Sequence, residues 1–256
     1  MKRSFCALVL SIAISAQCAN AQSAKLLLPE TNHEATVILT KPGVQGSFRS
    51  LTIVSNEKPT MFTPKNPVVR IPVTAGEKLE RGIWTDIAGL KLHSSRNFLQ
   101  GSYKIDSQSH TMLFFLGEAG TGAAPVFVVG FTDDGKPFKV LDQTEFDVTS
   151  LEPSSDGALI VGKTSLSEVM SGDGGNGSKT PYATTYDPFS VYIVRPSIPA
   201  AYSLEASRAY NEKNYVWAGP KVREDYAVLY NIPGHHKPFG APASKINELL
   251  PHAGGK

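Results

Sequence analysis

The clearest motif with chemical meaning in this sequence is a glycine–lysine spacing. Residues 157–164 fit the pattern G-x-x-x-x-G-K-[ST], in which loop amides cradle phosphates and the lysine reaches them. Such a loop needs a strand before its first glycine and a helix after its lysine. Here the residues between the two glycines, Ala158 to Val161, are themselves an apolar β-type run, and a Pro-Ser-Ser-Asp turn precedes them. The sequence therefore predicts a core strand here, and not a nucleotide site.

The glycine-rich stretch 171–178 invites a calcium interpretation. Asp173 and Asn176 supply hard oxygen ligands, but the EF-hand spacing is absent. Lys179 also stands where the calcium β-roll pattern requires an aspartate. We predict a solvated flexible loop without metal.

The histidines and acids suggest no cofactor or metal. The six histidines lack the i, i+4 pairing of zinc proteases, and no G-x-S-x-G elbow is present. Aspartates in turns usually hydrogen-bond their own backbone, so we expect that role for most of the turn acids. An acid-based hydrolase would instead need two carboxylates in one cleft. The acids in turns and at strand ends are Asp133, Asp134, Asp142, Asp147 and Asp156.

An aromatic segment beside the glycine-rich loop is the best candidate for ligand binding. Tyr182, Tyr186, Asp187 and Phe189 combine rings that stack on sugars or hold peptides with one hydrogen-bonding acid. The alternative is that Tyr and Phe on a strand belong to the core. We take these four residues as the predicted binding site.

The N-terminus predicts export. Lys2 and Arg3 precede a short apolar run, and Ala19-Asn20-Ala21 supplies the small-x-small pattern of a signal peptidase site. We predict a signal peptide over residues 1–21, cleavage near Ala21 and a periplasmic or secreted product. Lipidation of Cys18 is the alternative, although Gln17 stands where lipoprotein signals carry a small residue.

Cleavage would change the composition in a way that excludes several classes of function. The net charge of +2 would fall to zero with the loss of Lys2 and Arg3, which removes the electrostatic case for nucleic acid and anionic membranes. Cys6 and Cys18 would leave too, so disulfides, thiolate catalysis and cysteine zinc sites are excluded. We predict no integral membrane segment after cleavage, while the oligomeric state stays open.

Short apolar runs bounded by Gly, Pro, Asn or Asp predict a mainly β protein. The segment Ser203–Asn211 carries an apolar stripe and predicts a short C-terminal helix. We expect one domain over 22–232 and a flexible tail over 233–256. The predicted strands are centred on 25–28, 36–40, 50–54, 68–73, 111–116, 125–131, 138–141, 146–151, 158–161, 189–194, 215–217 and 226–230.

Strand–turn–strand units repeat along the centre of the chain. Asp133-Asp134-Gly135 lies between apolar runs, and Pro153-Ser-Ser-Asp-Gly157 precedes another. On these features, residues 111–206 resemble blades of a β-propeller. The resemblance implies about four or five blades of about 45 residues each. A β-sandwich of ordinary hairpins is the alternative architecture.

These observations favour a non-catalytic binding protein. It would present loops from a β scaffold to a glycan or another protein. The alternative is an extracytoplasmic hydrolase that uses turn acids on a propeller-like fold. Both are expectations from sequence patterns, and their discriminating feature is spatial: converging acids favour the enzyme, and an aromatic patch near Tyr186 and Phe189 favours binding.

Overall fold

The structure is a computed structural model that describes residues 21–43, 46–70, 87–117, 123–163, 172–174, 178–182, 189–217, 226–231 and 239–242. The predicted signal peptide lies outside these residues except for Ala21. The described chain is mainly β, with antiparallel sheets and a short C-terminal helix, as the sequence predicts.

The strands are numbered in chain order. They are β1 (Gln22–Leu28), β2 (His33–Pro42), β3 (Ser47–Ser55), β4 (Lys58–Phe62), β5 (Val68–Val69), β6 (Leu90–Leu92), β7 (Leu99–Ile105), β8 (Gln108–Leu116), β9 (Val126–Phe131), β10 (Pro137–Gln143), β11 (Asp147–Ser154), β12 (Gly157–Lys163), β13 (Gly172–Gly174), β14 (Ser178–Tyr182), β15 (Phe189–Val194), β16 (Ala201–Tyr202), β17 (Tyr215–Trp217), β18 (Tyr226–Asn231) and β19 (Phe239–Pro242). The helix α1 spans Leu204–Asn214.

The first sheet has the strand order β1-β2-β3-β4, and β5 pairs with β3. Its strands alternate between buried and exposed residues, which is the pattern of an antiparallel sheet with one face on a core. In β1, for example, Ala24, Leu26 and Leu28 are buried while Lys25 and Leu27 are exposed. The buried residues of this sheet share a core with the second sheet, so the first sheet covers one face of the second.

The second sheet, with the order β10-β9-β8-β7-β6, has apolar residues buried on both faces of its middle strands. Leu113 and Phe115 pack with the first sheet, whereas Met112, Phe114 and Leu116 pack toward the third. A strand buried on both faces needs apolar residues at every position. This is why β8 and β9 are continuous apolar runs in the sequence.

The third sheet has the order β11-β12-β15-β16. Its inner face contributes Leu151, Ile160 and Val194 to the core shared with the second sheet. Beside β15, next to the short edge strand β16, Ser207 of α1 is fully buried and its hydroxyl accepts a hydrogen bond from the Val191 amide at 2.9 Å. The three sheets thus form successive layers, and α1 lies outside the third.

A glycine allows the second and third layers to approach. Gly89 has a φ of 80°, and a Cβ at this position would collide with the Leu151 carbonyl oxygen. The Leu151 amide donates a hydrogen bond to the Ala88 carbonyl oxygen at 2.8 Å. A side chain at residue 89 would therefore push these two backbone segments apart. It would also be strained, because L residues disfavour a φ of 80°.

Two smaller sheets complete the described structure: β13 pairs with β14, and β17-β18-β19 forms a three-stranded sheet. β19 lies within the segment that the sequence predicts as a tail, and its Phe239 is the partner of Leu229 in β18. Within the described part of the chain, no helix combines the length and apolar character needed to cross a membrane.

Candidate binding site

The third sheet contains a long insertion between two strands that are direct neighbours. β12 and β15 pair in continuous register from Ala158 with Val194 to Lys163 with Phe189. Two antiparallel neighbours need only a two-residue turn. Here residues 164–188 separate them, and the β13–β14 hairpin lies within that segment. We call residues 164–188 the insertion, and Lys163 with Phe189 its root.

The root holds a cation beside an aromatic ring. The Lys163 ammonium nitrogen lies 4.8 Å from the centre of the Phe189 ring, within the range of a cation–π contact. The two residues share one sheet face because they are paired across strands. Both side chains are partly exposed, so the root is a surface feature and not a core contact.

The helix supplies a second ring to the root. Tyr210 of α1 meets Phe189 edge-on, with ring centres 5.0 Å apart and planes at 62°. The Tyr210 hydroxyl donates to the Glu152 carboxylate at 2.8 Å, and the Ser150 hydroxyl donates to the same oxygen at 2.7 Å. Burial, and next the hydrogen bond with Glu152, raises the pKa of Tyr210 above its usual value. The phenol is therefore neutral and donating at neutral pH.

Local sequence explains where α1 begins. Ser203 precedes the helix, and its hydroxyl oxygen accepts a hydrogen bond from the Ala206 amide at 3.1 Å. This is an N-cap, which satisfies a helix amide that lacks an intrahelical partner. The Ser207 hydroxyl donates to the Ser203 carbonyl oxygen at 2.6 Å and accepts from Val191. The cap thus fixes the helix start against β15, which places Tyr210 over the root.

The predicted binding residues are divided between the insertion and its root. Phe189 is at the root, and Tyr182 ends β14, where its main chain pairs with Gly172. Tyr186 and Asp187 lie outside the described residues. The proximity of all four side chains stays a prediction. The sequence did not identify Glu152 and Tyr210 as part of this region, because no local pattern links Glu152 on β11 to Tyr210 on α1, 58 residues later in the chain.

The predicted turn acids each have hydrogen-bond partners in the structure. The Asp147 carboxylate accepts from the Ala124 amide at 2.6 Å, and Asp142 accepts from the Lys65 amide at 3.3 Å. Asp156 accepts from the Arg195 guanidinium at 2.9 Å. Asp134 accepts from the Thr132 hydroxyl. The partners of Asp142, Asp147 and Asp156 belong to distant segments of the chain, so these contacts connect segments and differ from the predicted bond of a turn aspartate to its own backbone.

Two acids come near each other at one place, beside the β7–β8 hairpin of the second sheet. The Glu30 carboxylate accepts hydrogen bonds from the amide and the hydroxyl of Thr111. Burial, and then the negative charges of Glu30 and Asp133, raise the pKa of Tyr103 to about 12. The ring of buried His110 stacks on Tyr103 at 5.1 Å, and its Nδ1 lies 3.9 Å from Asp133 without a hydrogen bond. We call these residues the acid–histidine cluster.

Other candidate chemistries find little support among the described residues. Residues 157–163 form β12, so the glycine–lysine motif is a core strand as predicted. No three His, Cys, Asp or Glu side chains in the described ranges could together hold a metal ion. A shallow crevice between Asn66, Gly117 and Asp142 has no space for a water molecule.

Comparison with known proteins found no matching family model, no similar curated protein and no similar solved structure.

Proposed function

We propose that the protein is a non-catalytic binding protein that carries its binding segment, the insertion 164–188, on a β scaffold. The observation that supports this most is the pairing of Lys163 with Phe189. The sheet needs no chain between them beyond a turn, so the insertion is surplus to the fold. Long connections of this kind in compact domains commonly serve binding.

The composition of the insertion supports the same proposal. It is rich in Gly, Ser and Thr, and it contains Tyr182 and Tyr186 with Asn176. Tyrosine provides large contact area at low entropic cost, while Ser, Gly and Asn provide adaptable hydrogen bonds. This combination suits a glycan or a protein surface. The root adds Phe189, Lys163 and their neighbours as a rigid base for the segment.

The scaffold that we propose is propeller-like. Its support is the order of the layers: consecutive meanders pack face to face, the second sheet between the first and the third. A two-layer sandwich would leave one face of the middle sheet toward solvent. No sheet closes on itself among the described strands, and α1 covers part of the third sheet. Blade number and closure are therefore part of the proposal.

Export is also proposed. The N-terminal pattern that ends at Ala21 predicts it, and β1 begins at the next residue, Gln22. Mass spectrometry of the exported protein tests this point. A mature N-terminus at Gln22 supports it, and a diacylglyceryl Cys18 would contradict it.

The test of binding replaces the insertion. A variant in which Asn-Gly takes the place of residues 164–188 should keep the β12–β15 ladder, because Lys163 and Phe189 are already paired. Wild type and variant are screened on a glycan array and against candidate surface proteins. Hits are measured by titration calorimetry, and circular dichroism with thermal unfolding confirms the fold.

We expect ligand binding to be lost in the Asn-Gly variant and in Tyr182→Ala with Tyr186→Ala. The matched control is Tyr202→Ala, which removes an exposed tyrosine of the same sheet, 45% exposed, outside the insertion. It should bind like wild type. Retained binding in a folded Asn-Gly variant would show that the insertion is not the binding segment.

The acid–histidine cluster keeps a second function in view, an acid-based hydrolase. Glu30 and Asp133 both act on the Tyr103 hydroxyl, and buried His110 adjoins Asp133. This hypothesis predicts turnover of glycoside or ester substrates by the purified protein, and loss of turnover in Asp133→Asn. Turnover that survives Asp133→Asn would rule out this cluster as the active site.

A further inference from the structure

Helix α1 is held on the third sheet by polar groups more than by apolar burial. Among the helix residues whose burial is described, Ser207 alone is buried, whereas Leu204, Glu205, Ala209 and Lys213 are exposed. A surface helix normally docks through an apolar stripe. Among the described residues of α1, Ser207 and Tyr210 make specific contacts with the third sheet. The two described for Tyr210 are the furthest from the capped end of the helix.

Tyr210 connects the helix to two strands of the third sheet at once. Its hydroxyl donates to Glu152 on β11, and its ring packs on Phe189, the first residue of β15. Ser150 donates to the same Glu152 oxygen, which orients the carboxylate toward the phenol. A hydrogen bond from a phenol to a carboxylate oxygen is of the stronger, charge-assisted kind.

We infer that α1 is a clamp on the root of the insertion, and that Tyr210 and Glu152 are the positioning residues of this clamp. Tyr210 is placed by Glu152, and its ring packs on the ring of Phe189 at the root. This inference rests on the proposed function, because the clamp serves binding only if the insertion binds.

The physical benefit of such a clamp is preorganisation. A binding segment with two freely moving ends loses conformational entropy when it contacts a ligand. Lys163 and Phe189 are fixed to each other by the strand ladder and the cation–π contact, and Tyr210 fixes Phe189 to the helix. The root is therefore ordered before any ligand arrives. Loosening Tyr210 should affect the root more than the rest of the sheet.

The test measures hydrogen exchange in the ligand-free protein. Tyr210→Phe keeps the ring on Phe189 and removes the hydroxyl, while Glu152→Gln keeps an acceptor oxygen but removes the charge. Lys213→Ala is the matched control, because it changes an exposed residue of the same helix. Exchange is followed in peptides that cover β12, β15 and α1, with those of the first sheet as an internal reference.

In Tyr210→Phe we expect α1 and the root to exchange about tenfold faster or more, as for a lost hydrogen bond to a charged group. Glu152→Gln should show a smaller increase, and Lys213→Ala none. Unchanged exchange at the root in Tyr210→Phe would overturn the clamp, as would equal acceleration across all sheets. The latter would mean general destabilisation.

The affinity for a glycan or protein identified in the binding screen then distinguishes the clamp from the proposed binding function. If the insertion binds, Tyr210→Phe should weaken affinity several-fold with a fold that thermal unfolding shows to be intact. Faster root exchange in a protein whose wild type binds nothing would support the clamp and overturn the proposed function. Affinity that is equal in wild type and Tyr210→Phe, despite faster root exchange, would show that the clamp does not serve binding.

Discussion

The second and third sheets are built from the same antiparallel meander, but their surroundings differ. In the second sheet, β8 and β9 bury both faces between two layers. In the third, one face joins that core and the other is covered in part by a polar helix. Neighbouring strands of the second sheet are joined by at most nine residues, whereas β12 and β15 of the third sheet are separated by the insertion of residues 164–188. Sites that move or bind tend to lie in regions with less apolar burial.

The largest expected effect tests the second sheet. Phe115 is fully buried and its ring contacts those of Phe98 and Phe127, at 5.5 and 6.5 Å. Phe115→Ala should lower the free energy of unfolding by about 3–5 kcal/mol because it leaves a cavity. Phe189→Ala, at the partly exposed root, should cost about 1–2 kcal/mol. Urea denaturation measures both, and equal losses would remove the difference between the sheets.

The next effect tests the contact between these two sheets. Gly89→Ala should destabilise by about 2 kcal/mol or more, since it strains a φ of 80° and collides with the Leu151 carbonyl. Gly46→Ala is the matched control: its φ is 78°, but no atom lies within 4 Å of the added Cβ. It should cost about 1 kcal/mol. If urea denaturation shows the same loss of unfolding free energy for both variants, the collision with Leu151 adds no cost, and the two sheets can move apart at this point.

A third, smaller effect distinguishes the second sheet from the third at alkaline pH. Burial, with Glu30 and Asp133, raises the pKa of Tyr103 from 10.0 to about 12, which favours its neutral form in the folded state. Because the pKa of Tyr103 is higher in the folded state than in the unfolded state, its contribution to stability is complete below pH 10. This contribution is lost as the pH rises toward about 12. The urea midpoint should therefore fall over this range.

The variant Tyr103→Phe identifies the residue responsible for that fall. The urea midpoint of this variant should fall less between pH 10 and about 12 than that of the wild type. Tyr210→Phe should reduce the fall less. Burial and one acid, Glu152, raise the pKa of Tyr210, whereas two acids add to the effect of burial at Tyr103. Identical curves for wild type and Tyr103→Phe would mean that other groups cause the alkaline loss.

The smallest effect belongs to an exposed ion pair on the third sheet. The Arg195 guanidinium, first by its hydrogen bond and then by its charge, lowers the pKa of Asp156. This contributes stability above the usual aspartate pKa, and it is lost as the pH falls. Arg195→Ala should shift the thermal midpoint slightly at pH 7 and not at pH 2, because exposed pairs are weak and screened. A large shift that persists in 1 M NaCl would contradict this.

Much of the fold could be predicted from local patterns. The Asp-Gly turn at 133–135 separates β9 from β10, and the continuous run from Thr111 to Leu116 lies within β8. These signals are local because turn residues set their own backbone geometry and burial on both faces demands apolar side chains. The predicted helix over 203–211 agrees with α1, which starts one residue later beside its Ser203 cap.

The candidate site could be predicted less well. The sequence indicated Phe189 as part of an aromatic segment, but not that Lys163 lies opposite it. It also gave no sign that Tyr210 would reach Glu152, since α1 and β11 are far apart in the chain. Hydrogen bonds between distant segments depend on register and layer order, and residue types in a single sequence leave both undetermined.

The sequence by itself determined that this is a mainly β chain with strands bounded by turns, because strand periodicity, β-branched residues and turn chemistry act over a few neighbouring residues. Only the tertiary structure decided which strands became neighbours. It brought β12 beside β15 across the insertion and placed α1 against their root. The physical reason is that burial of apolar faces, which selects one stacking of the sheets, is a property of the whole chain.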